Sequence, residues 1–385
     1  MSMVIFPAFA EDTPAAGFGS PETVDNRIAQ DKKQREQPLK DRLAGKGINL
    51  AVDYSAVALG ASDVLPDSDD SASGGMLRFY GSWDILNKGE ANSGGLVWKV
   101  EHRHAYTDTS VNGFEFAAGG LGLVTPPFSD QGTRLTNLYW KQHFNNGNGT
   151  VIAGFLDATD YLDVYALASP WTGFLNFAFS TGTTTIALPG DATLGVAAAS
   201  MLGNEWFVIG GITDMESDPT DPFEGFDTFF NDHKYFTSIE LGWTASKEQI
   251  YVDNVHLTLW HADESIEQGT MEGQGVNFSA SRMLGPWLPF VRGGVSEDAG
   301  TLTEKSVSTG FGYYGLGKEA NNLGAAINWA EVDNADDQLT IEAFYFIKVL
   351  PFLEITPDIQ VIRNPALNPA EDQVTIYGLR GRLFW

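Results

Sequence analysis

Apolar and polar residues alternate in short segments along most of this chain, up to its last residue. In the final segment one face carries Tyr377, Leu379, Gly381, Leu383 and Trp385, and the other carries Gly378, Arg380 and Arg382. A period of two belongs to a β-strand, whose successive side chains point to opposite faces. Similar segments of about 8–12 residues, separated by Gly, Asn, Asp and Ser turns or by acidic loops, recur from Ile48 onward. The alternation predicts an all-β fold.

Two architectures contain such strands. A soluble β-sandwich buries the apolar face in a core, whereas a membrane β-barrel turns it to lipid and its polar face to a lumen. The barrel is favoured because long polar loops alternate with tight turns, and because the last strand ends on an aromatic residue, as interfacial girdles require. Aromatic residues also stand at the ends of other strands, namely Trp83, Trp140, Trp243 and Trp329. We predict a transmembrane antiparallel β-barrel that closes on its last strand, with a soluble β-rich binding protein as the alternative.

Composition narrows the function classes. The 385 residues include no cysteine, which excludes a disulfide scaffold and a thiolate metal site. The net charge of −27 argues against a nucleic-acid partner. The sequence contains no run of 18 or more apolar residues, so no transmembrane helix is predicted.

The chain divides into three parts. Residues 1–10 resemble the end of a signal peptide, because Ala8-Phe9-Ala10 has the small-x-small form of a cleavage site behind a short apolar stretch. Residues 11–47 predict a polar tail and, over 23–46, a short, charged, broken helix that is ended by Pro38 and Gly45. Residues 48–385 form the predicted barrel.

Several stretches resemble the carbohydrate-selective porin family (OprB-like) of Gram-negative outer membranes. They are DRLAGKGINLAVDY (41–54), LYWKQHF and VIAGFLDATDYLD (138–163), YFTSIELGW and VHLTLWHAD (235–263), ITPDIQVIRNPALNP (355–369) and YGLRGRLFW (377–385). The resemblance implies a sixteen-stranded barrel through which small carbohydrates, mono- or oligosaccharides, diffuse passively. It also implies that the barrel contacts outer-membrane lipid and lipopolysaccharide, and that the strand ending at Trp385 is recognised by the barrel-assembly machinery.

Strand parity then predicts which side chains line the lumen. Sugars need paired hydrogen-bond donors and acceptors along a narrow path. The predicted lumen residues are Arg78, Lys99, Glu101, Arg103, Glu240, Arg292, Glu342, Lys348, Glu354, Asp358, Gln360, Arg380 and Arg382.

Barrel closure predicts a basic strip on one wall. The last strands must lie beside the first ones, so Arg380, Arg382 and Lys348 should neighbour Arg78, Lys99 and Arg103. The chain has no Lys or Arg between Gln142 and His233, which predicts an acidic opposite wall with Glu240 and Asp157. An equally weighted alternative is that each arginine only pairs with a nearby carboxylate, such as Arg103 with Glu101 or Glu342.

Two loops carry aromatic residues. Residues 109–134 are too apolar for a solvated loop, so Phe114, Phe116 and Phe128 predict a constriction in the mouth. Residues 169–180 contain Trp171, Phe174, Phe177 and Phe179. One interpretation is that these residues form an aromatic surface for sugars. The favoured alternative is that half of them are rim or lipid-facing anchors.

Cofactor and enzyme motifs are weak. The acidic stretches 157–163 and 214–232 lack the ligand spacing of a calcium loop, so solvated loops are favoured over calcium sites. His102 and His104 share a strand face, where a girdle role is favoured over a metal site. We expect no cofactor and no catalytic residue. The alternatives are a general diffusion porin, or a barrel lipid hydrolase, for which His102 and His261 are the histidine candidates.

Overall fold

The computed structural model describes residues 38–266, 269–297 and 300–385. The predicted signal-peptide remnant and most of the N-terminal tail lie outside the described residues. The described part of the predicted helical segment is helix α1, Pro38–Ala44. Pro38 is the first described residue of this helix, which ends at Ala44, directly before Gly45.

Sixteen antiparallel strands follow, and each is hydrogen-bonded to the next. They are β1 Ile48–Ala61, β2 Ser71–Leu86, β3 Gly94–Ala105, β4 Gly132–Phe144, β5 Gly149–Leu156, β6 Thr193–Leu202, β7 Trp206–Asp214, β8 Tyr235–Thr244, β9 Asn254–Ala262, β10 Gly273–Ser281, β11 Trp287–Glu297, β12 Lys305–Tyr314, β13 Asn322–Glu331, β14 Gln338–Leu350, β15 Leu353–Arg363 and β16 Gln373–Phe384.

The barrel closes through its first and last strands. β1 pairs with β16 in a register that places Asp53 opposite Phe384 and Ala61 opposite Ile376. The terminal residue continues this pairing, since Trp385 N donates to Val52 O at 2.9 Å and Val52 N donates to Trp385 O at 3.1 Å. The Nζ of Lys40 on α1 also lies 4.7 Å from the centre of the Trp385 ring. A closed sixteen-stranded antiparallel barrel, as predicted, is therefore confirmed.

The outer surface carries the apolar half of each alternation. On β16, Tyr377, Leu379 and Leu383 are 59%, 53% and 49% exposed. The same holds for Ile239 and Leu241 on β8. Tryptophans stand on this surface near the strand ends, including Trp83, Trp206, Trp287, Trp329 and Trp385, which is the pattern of interfacial girdles. Within the described residues, none of the helices has the length and apolarity needed to cross a membrane.

The two ends of the barrel differ in the length of their connections. At one end the turns are short, as between Leu350 and Leu353. At the other end are the long connections, of which two matter here: the mouth loop (residues 106–131, between β3 and β4) and the lumen loop (residues 157–192, between β5 and β6). In barrels of this kind the long loops face outward from the cell.

Both of these loops enter the barrel instead of extending from it. The mouth loop contains helix α2, Phe114–Ala118, and packs on inward-facing apolar residues of β1 and β16 such as Leu59 and Ile376. The lumen loop crosses the interior and is buried along most of its length. The space between these loops and the wall therefore decides what can pass.

Candidate functional site

The lumen loop is fixed to the far wall by hydrogen bonds from its backbone. Leu175 N and Asn176 N both donate to the carboxylate of Glu342 on β14, at 2.6 and 2.9 Å. The side-chain amide of Asn176 donates to Gln360 on β15 at 2.9 Å. Ser308 on β12 donates to the carbonyl of Ala178 at 2.7 Å. Inward-facing polar side chains of the strands thus satisfy backbone groups that would otherwise be buried without partners.

A second anchor surrounds Asp163. Its carboxylate accepts from Arg292 on β11 at 2.5 Å and lies 2.8 Å from Nε2 of His256 on β9. Its backbone N–H donates to Glu240 on β8 at 2.8 Å. Burial alone would raise the pKa of Asp163, but the Arg292 guanidinium and His256 hold it below the ordinary value. The loop is therefore held by an ionised carboxylate in a buried network.

Aromatic residues fill the half of the lumen between these anchors. The Phe174 ring centre lies 4.9 Å from that of Phe179, 5.0 Å from that of Phe344 and 5.9 Å from that of Phe290. The Tyr165 ring packs at a tilt against Phe290, with ring centres 5.2 Å apart, and the guanidinium carbon of Arg292 lies 4.1 Å from the centre of the Tyr165 ring. The lumen beside β8–β14 is thus a packed hydrophobic core.

The opposite wall, formed by β15, β16 and β1–β4, is polar and charged. Asp53 on β1 accepts from Arg78 on β2, at 2.8 Å from Nε and 2.5 Å from the terminal nitrogen. It also accepts from Arg382 on β16 at 3.0 and 2.8 Å. Arg382 lies 3.5 Å from Glu354.

The lumen loop reaches this wall as well. Arg380 donates to the carbonyls of Pro170 and Gly173, at 2.5 and 2.6 Å. The ring of Trp171 lies 3.9 Å from the guanidinium carbon of Arg78. A narrow pocket remains between loop and wall, lined by Ser55, Phe128, Pro170, Trp171, Glu354, Thr356, Arg380 and Arg382.

A second charged group lies farther along the same wall, where the lumen loop leaves and rejoins the barrel. Arg103 binds Glu101 on its own strand and Asp191 in the loop, at 2.5 and 2.9 Å. Asp191 also binds Arg134 at 2.6 Å. Lys99 lies 3.5 Å from Asp160. The two ends of the loop are thus tied to cations of β3 and β4.

Electrostatics differ between the two ends of the loop. Burial and the nearby negative charge of Asp191 raise the pKa of Asp157 to about 6. Burial acts the same way on Asp191, but Arg103 and Arg134 hold its pKa below the ordinary value. The acid that begins the loop therefore binds a proton at higher pH than the acid that ends it.

Comparison with known proteins identifies the family. A family model described as the carbohydrate-selective porin OprB family matches residues 105–277 and 265–383, which is most of the chain. The chain belongs to this family. It is therefore a passive, sugar-selective outer-membrane channel. No curated protein matches the sequence.

Solved structures show the same fold. The porin is similar to the high-pH structure of Pseudomonas putida OprB, with a TM-score of 0.71 and 13% identity over 90% of this chain and 96% of that chain. It is also similar to a triple mutant of Rhodopseudomonas blastica porin, with a TM-score of 0.55 and 12% identity over 88% of this chain and all of that chain.

The structure places the predicted lumen residues of this porin on the inner face of the wall. Most are buried there, and Lys348 and Arg382 are half-buried. The predicted basic strip exists in part, because Arg382 and Arg78 meet at Asp53. It is interleaved with carboxylates, and Arg103 pairs with Glu101 as the alternative interpretation expected.

The predicted acidic wall needs correction. Glu240 does lie across the lumen, but His256 and Arg292 share its network. Asp157 lies beside Lys99, on the side of the basic strip, because it directly follows β5. The deficit of cations in residues 142–233 therefore does not produce an acidic face, since cations from later strands fill it.

The aromatic predictions divide. Phe114, Phe128 and Trp171 are buried in the core of the mouth loop, and Phe128 packs edge-on against Trp171 at 5.4 Å. Phe116 is 62% exposed and is not part of the constriction, because α2 turns it away from that core. Residues 169–180 are not rim or lipid-facing anchors, since Phe174 and Phe179 are 1% and 0% exposed inside the barrel.

Sequence reasoning did not single out four residues that join the charged networks of the lumen: Asp53, Asp163, Asp191 and His256. The inward orientation of Asp53 could have been predicted from strand parity, because Asp53 alternates with the outward Val52 and Tyr54 on β1. Asp163 and Asp191 lie in the lumen loop, where no period of two marks direction. Their charged partners lie 57 or more positions away in the chain, so local patterns cannot reveal them.

Metal binding has weak support. In the described part of the chain, His261, Asp263 and Glu272 place ligand atoms within 4.8 Å of one another, at an exposed site. His102 and His104 stack on each other with ring centres 5.5 Å apart, and His104 continues this outward cluster to Tyr54 and Tyr106. This placement accords with the girdle role that the sequence favoured.

Proposed function

We propose that mono- and short oligosaccharides cross this porin along the wall formed by β15, β16 and β1–β4, past the aromatic rings of the two loops. One observation carries the proposal: this wall presents charged and polar side chains beside a narrow pocket at the lumen loop, whereas aromatic residues fill the other half of the lumen. A solute therefore meets donors, acceptors and aromatic faces on an eccentric path.

The chemistry of this path suits carbohydrates. Arg382 and Glu354 place a hydrogen-bond donor and an acceptor 3.5 Å apart, and polar solutes need both along a pore. Ser55 Oγ and Arg380 Nε are buried in the pocket lining and have no hydrogen-bond partner. Trp171 and Phe128 supply the apolar surface against which the C–H face of a sugar ring packs.

Liposome swelling tests the proposal. Liposomes that contain the refolded porin are exposed to glucose, a disaccharide, an amino acid of similar size and a sugar acid, and the rates of entry of the four solutes are compared. We expect fast, size-graded entry of the neutral sugars over the other solutes. Equal entry of all four would instead indicate a general diffusion porin. No swelling by a verified barrel would overturn passive diffusion.

A pair of variants locates the path. Trp171→Leu should lower glucose entry more than it lowers entry of the amino acid, because it removes an aromatic face from the constriction. Trp287→Leu changes an outward tryptophan that is 45% exposed, and it serves as the matched control. Equal effects of both substitutions would contradict the proposed path.

The location proposed for this porin is the outer membrane of a Gram-negative bacterium, with lipopolysaccharide around the long-loop end. Support comes from the family and from the apolar outer surface with its tryptophans. We also propose that the barrel-assembly machinery recognises β16. Cell fractionation of a strain that expresses the porin would test the location, and recovery in the inner membrane would contradict it.

The enzymatic alternative has a direct test. A lipid hydrolase would need a serine beside His102 or His261, whereas His102 bonds Thr133 at 2.9 Å and His261 bonds Glu272 at 3.3 Å. Esterase activity that purifies with the folded barrel and is lost in His102→Ala would revive this alternative.

A further inference from the structure

Asp53 occupies a special position in the polar wall. It lies on β1, directly opposite Arg78 on β2, and next to the strand that carries Arg382. The carboxylate therefore receives guanidinium groups from both sides, and its side chain is 0% exposed. The hydroxyl of Tyr80 donates a longer hydrogen bond, of 3.5 Å, to Oδ2 of Asp53.

The charges of this group cancel. Arg78 and Arg382 contribute two positive charges, and Asp53 and Glu354 contribute two negative ones. The four groups form a chain of contacts from Arg78 through Asp53 and Arg382 to Glu354. Asp53 accepts from both cations, whereas the Glu354 contact with Arg382 is longer. Since guanidinium groups stay charged at any ordinary pH, the net charge of the group depends on its carboxylates.

The group also faces the permeation path. Arg382 is 11% exposed and lines the narrow pocket beside Trp171 and Arg380. Arg78 lies behind it, against the ring of Trp171. Charges in such a low-dielectric constriction act over short distances with little screening by salt. An uncancelled arginine here would attract anions, as rings of Arg and Lys do in anion-selective pores.

We propose that Asp53 is a specificity-determining residue, which neutralises the arginines of the constriction so that uncharged solutes are not disfavoured against anions. The inference deepens the proposed function, because it assumes the path past Arg382. It assigns the carboxylate a role distinct from wall stability: removal should change which charge the pore prefers.

Ion selectivity in planar bilayers tests this role. Reversal potentials in a KCl gradient are measured for wild type, Asp53→Asn, Arg382→Gln and the double variant. Asp53→Asn adds one net positive charge, Arg382→Gln removes one, and the double variant has the wild-type net charge. We expect the chloride-to-potassium permeability ratio to rise about two- to threefold in Asp53→Asn, to fall by a similar factor in Arg382→Gln, and to return near wild type in the double variant.

A purely structural role predicts another pattern. Loss of packing would alter conductance in all variants without opposite shifts of the permeability ratio. Heat-modifiable migration on gels identifies the variants that fold, and the ratio is read only from those. If Asp53→Asn does not fold, the inference is tested with Asp53→Glu and Arg382→Gln. We expect the chloride-to-potassium permeability ratio to be unchanged in Asp53→Glu and lower in Arg382→Gln. An unchanged ratio in a folded Asp53→Asn overturns the inference.

Glucose swelling, run in parallel, separates the two proposals. Opposite shifts of the ion ratio with no sugar entry in wild type would leave the role of Asp53 standing and reject the proposed sugar path. Sugar entry in wild type with an unchanged ratio in the variants would do the reverse.

Discussion

Glu115 lies half-buried in the short helix of the mouth loop and accepts a hydrogen bond from Gly122 N at 3.0 Å. Burial raises the pKa of Glu115 from 4.5 to about 7. The packed loop thus binds the proton more tightly than the open one. Its stability is greatest below pH 4.5, falls as pH rises through the range from 4.5 to 7, and stays lower above it.

Hydrogen exchange of residues 110–124 at pH 5 and pH 8, corrected for intrinsic rates, measures this effect. We expect weaker protection at pH 8 in wild type. Glu115→Gln keeps an acceptor for Gly122 and cannot ionise, so its protection should be equal at both values. The same pH dependence in the variant would assign the effect to another group.

Individual residues show what parity can and cannot predict. The period of two on β16 predicts that Arg380 and Arg382 point inward, and both side chains lie on the inner face of the wall in the structure. That Arg382 binds Asp53, or that Arg380 binds two loop carbonyls, depends on barrel closure and on the path of the lumen loop. Neither partner follows from the neighbouring sequence.

At the scale of elements, the docking of the lumen loop depends on Glu342. Its carboxylate accepts two backbone N–H groups, and both lose their partner in Glu342→Ala. Leaving buried donors unsatisfied costs about 1–3 kcal/mol, so we expect the loop to open more often. Single-channel current noise should increase, and hydrogen exchange over residues 170–182 should become faster.

Glu342→Gln is the matched control for this change. It retains a carbonyl acceptor and the volume of the side chain, so its effect should be smaller than that of alanine. Equal current noise in wild type and Glu342→Ala would show that the aromatic packing around Phe174 alone holds the loop.

The strands were predictable as elements, and the lumen loop was not. Alternation repeats over each strand and fixes its two faces, whatever the neighbouring strand may be. The aromatic residues of the lumen loop have no such period, and the same composition suits a membrane rim or an internal core. Their position was decided by Glu342 and Arg292, more than a hundred positions farther along the chain.

At the scale of the whole molecule, Trp385 contributes to the pairing of β1 with β16 that closes the barrel. Trp385 makes two backbone hydrogen bonds to Val52 and has its ring against Lys40. Deletion of Trp385 should lower the temperature at which the barrel loses its compact migration on gels, because the seam loses both bonds. Trp385→Phe retains the backbone pairing and should lie closer to wild type. A deletion variant as heat-resistant as wild type would contradict this role.

The cyclic order of strands has a consequence for folding kinetics. Every neighbouring pair except one joins consecutive strands, so most pairs can form as local hairpins. The pair β1–β16 joins Asp53 to Phe384, across nearly the whole sequence. The entropic cost of closing a chain grows with its length, and non-local pairing slows folding. We therefore expect seam formation to be the rate-limiting step, with an open sheet that has two unpaired edges as the species that precedes it.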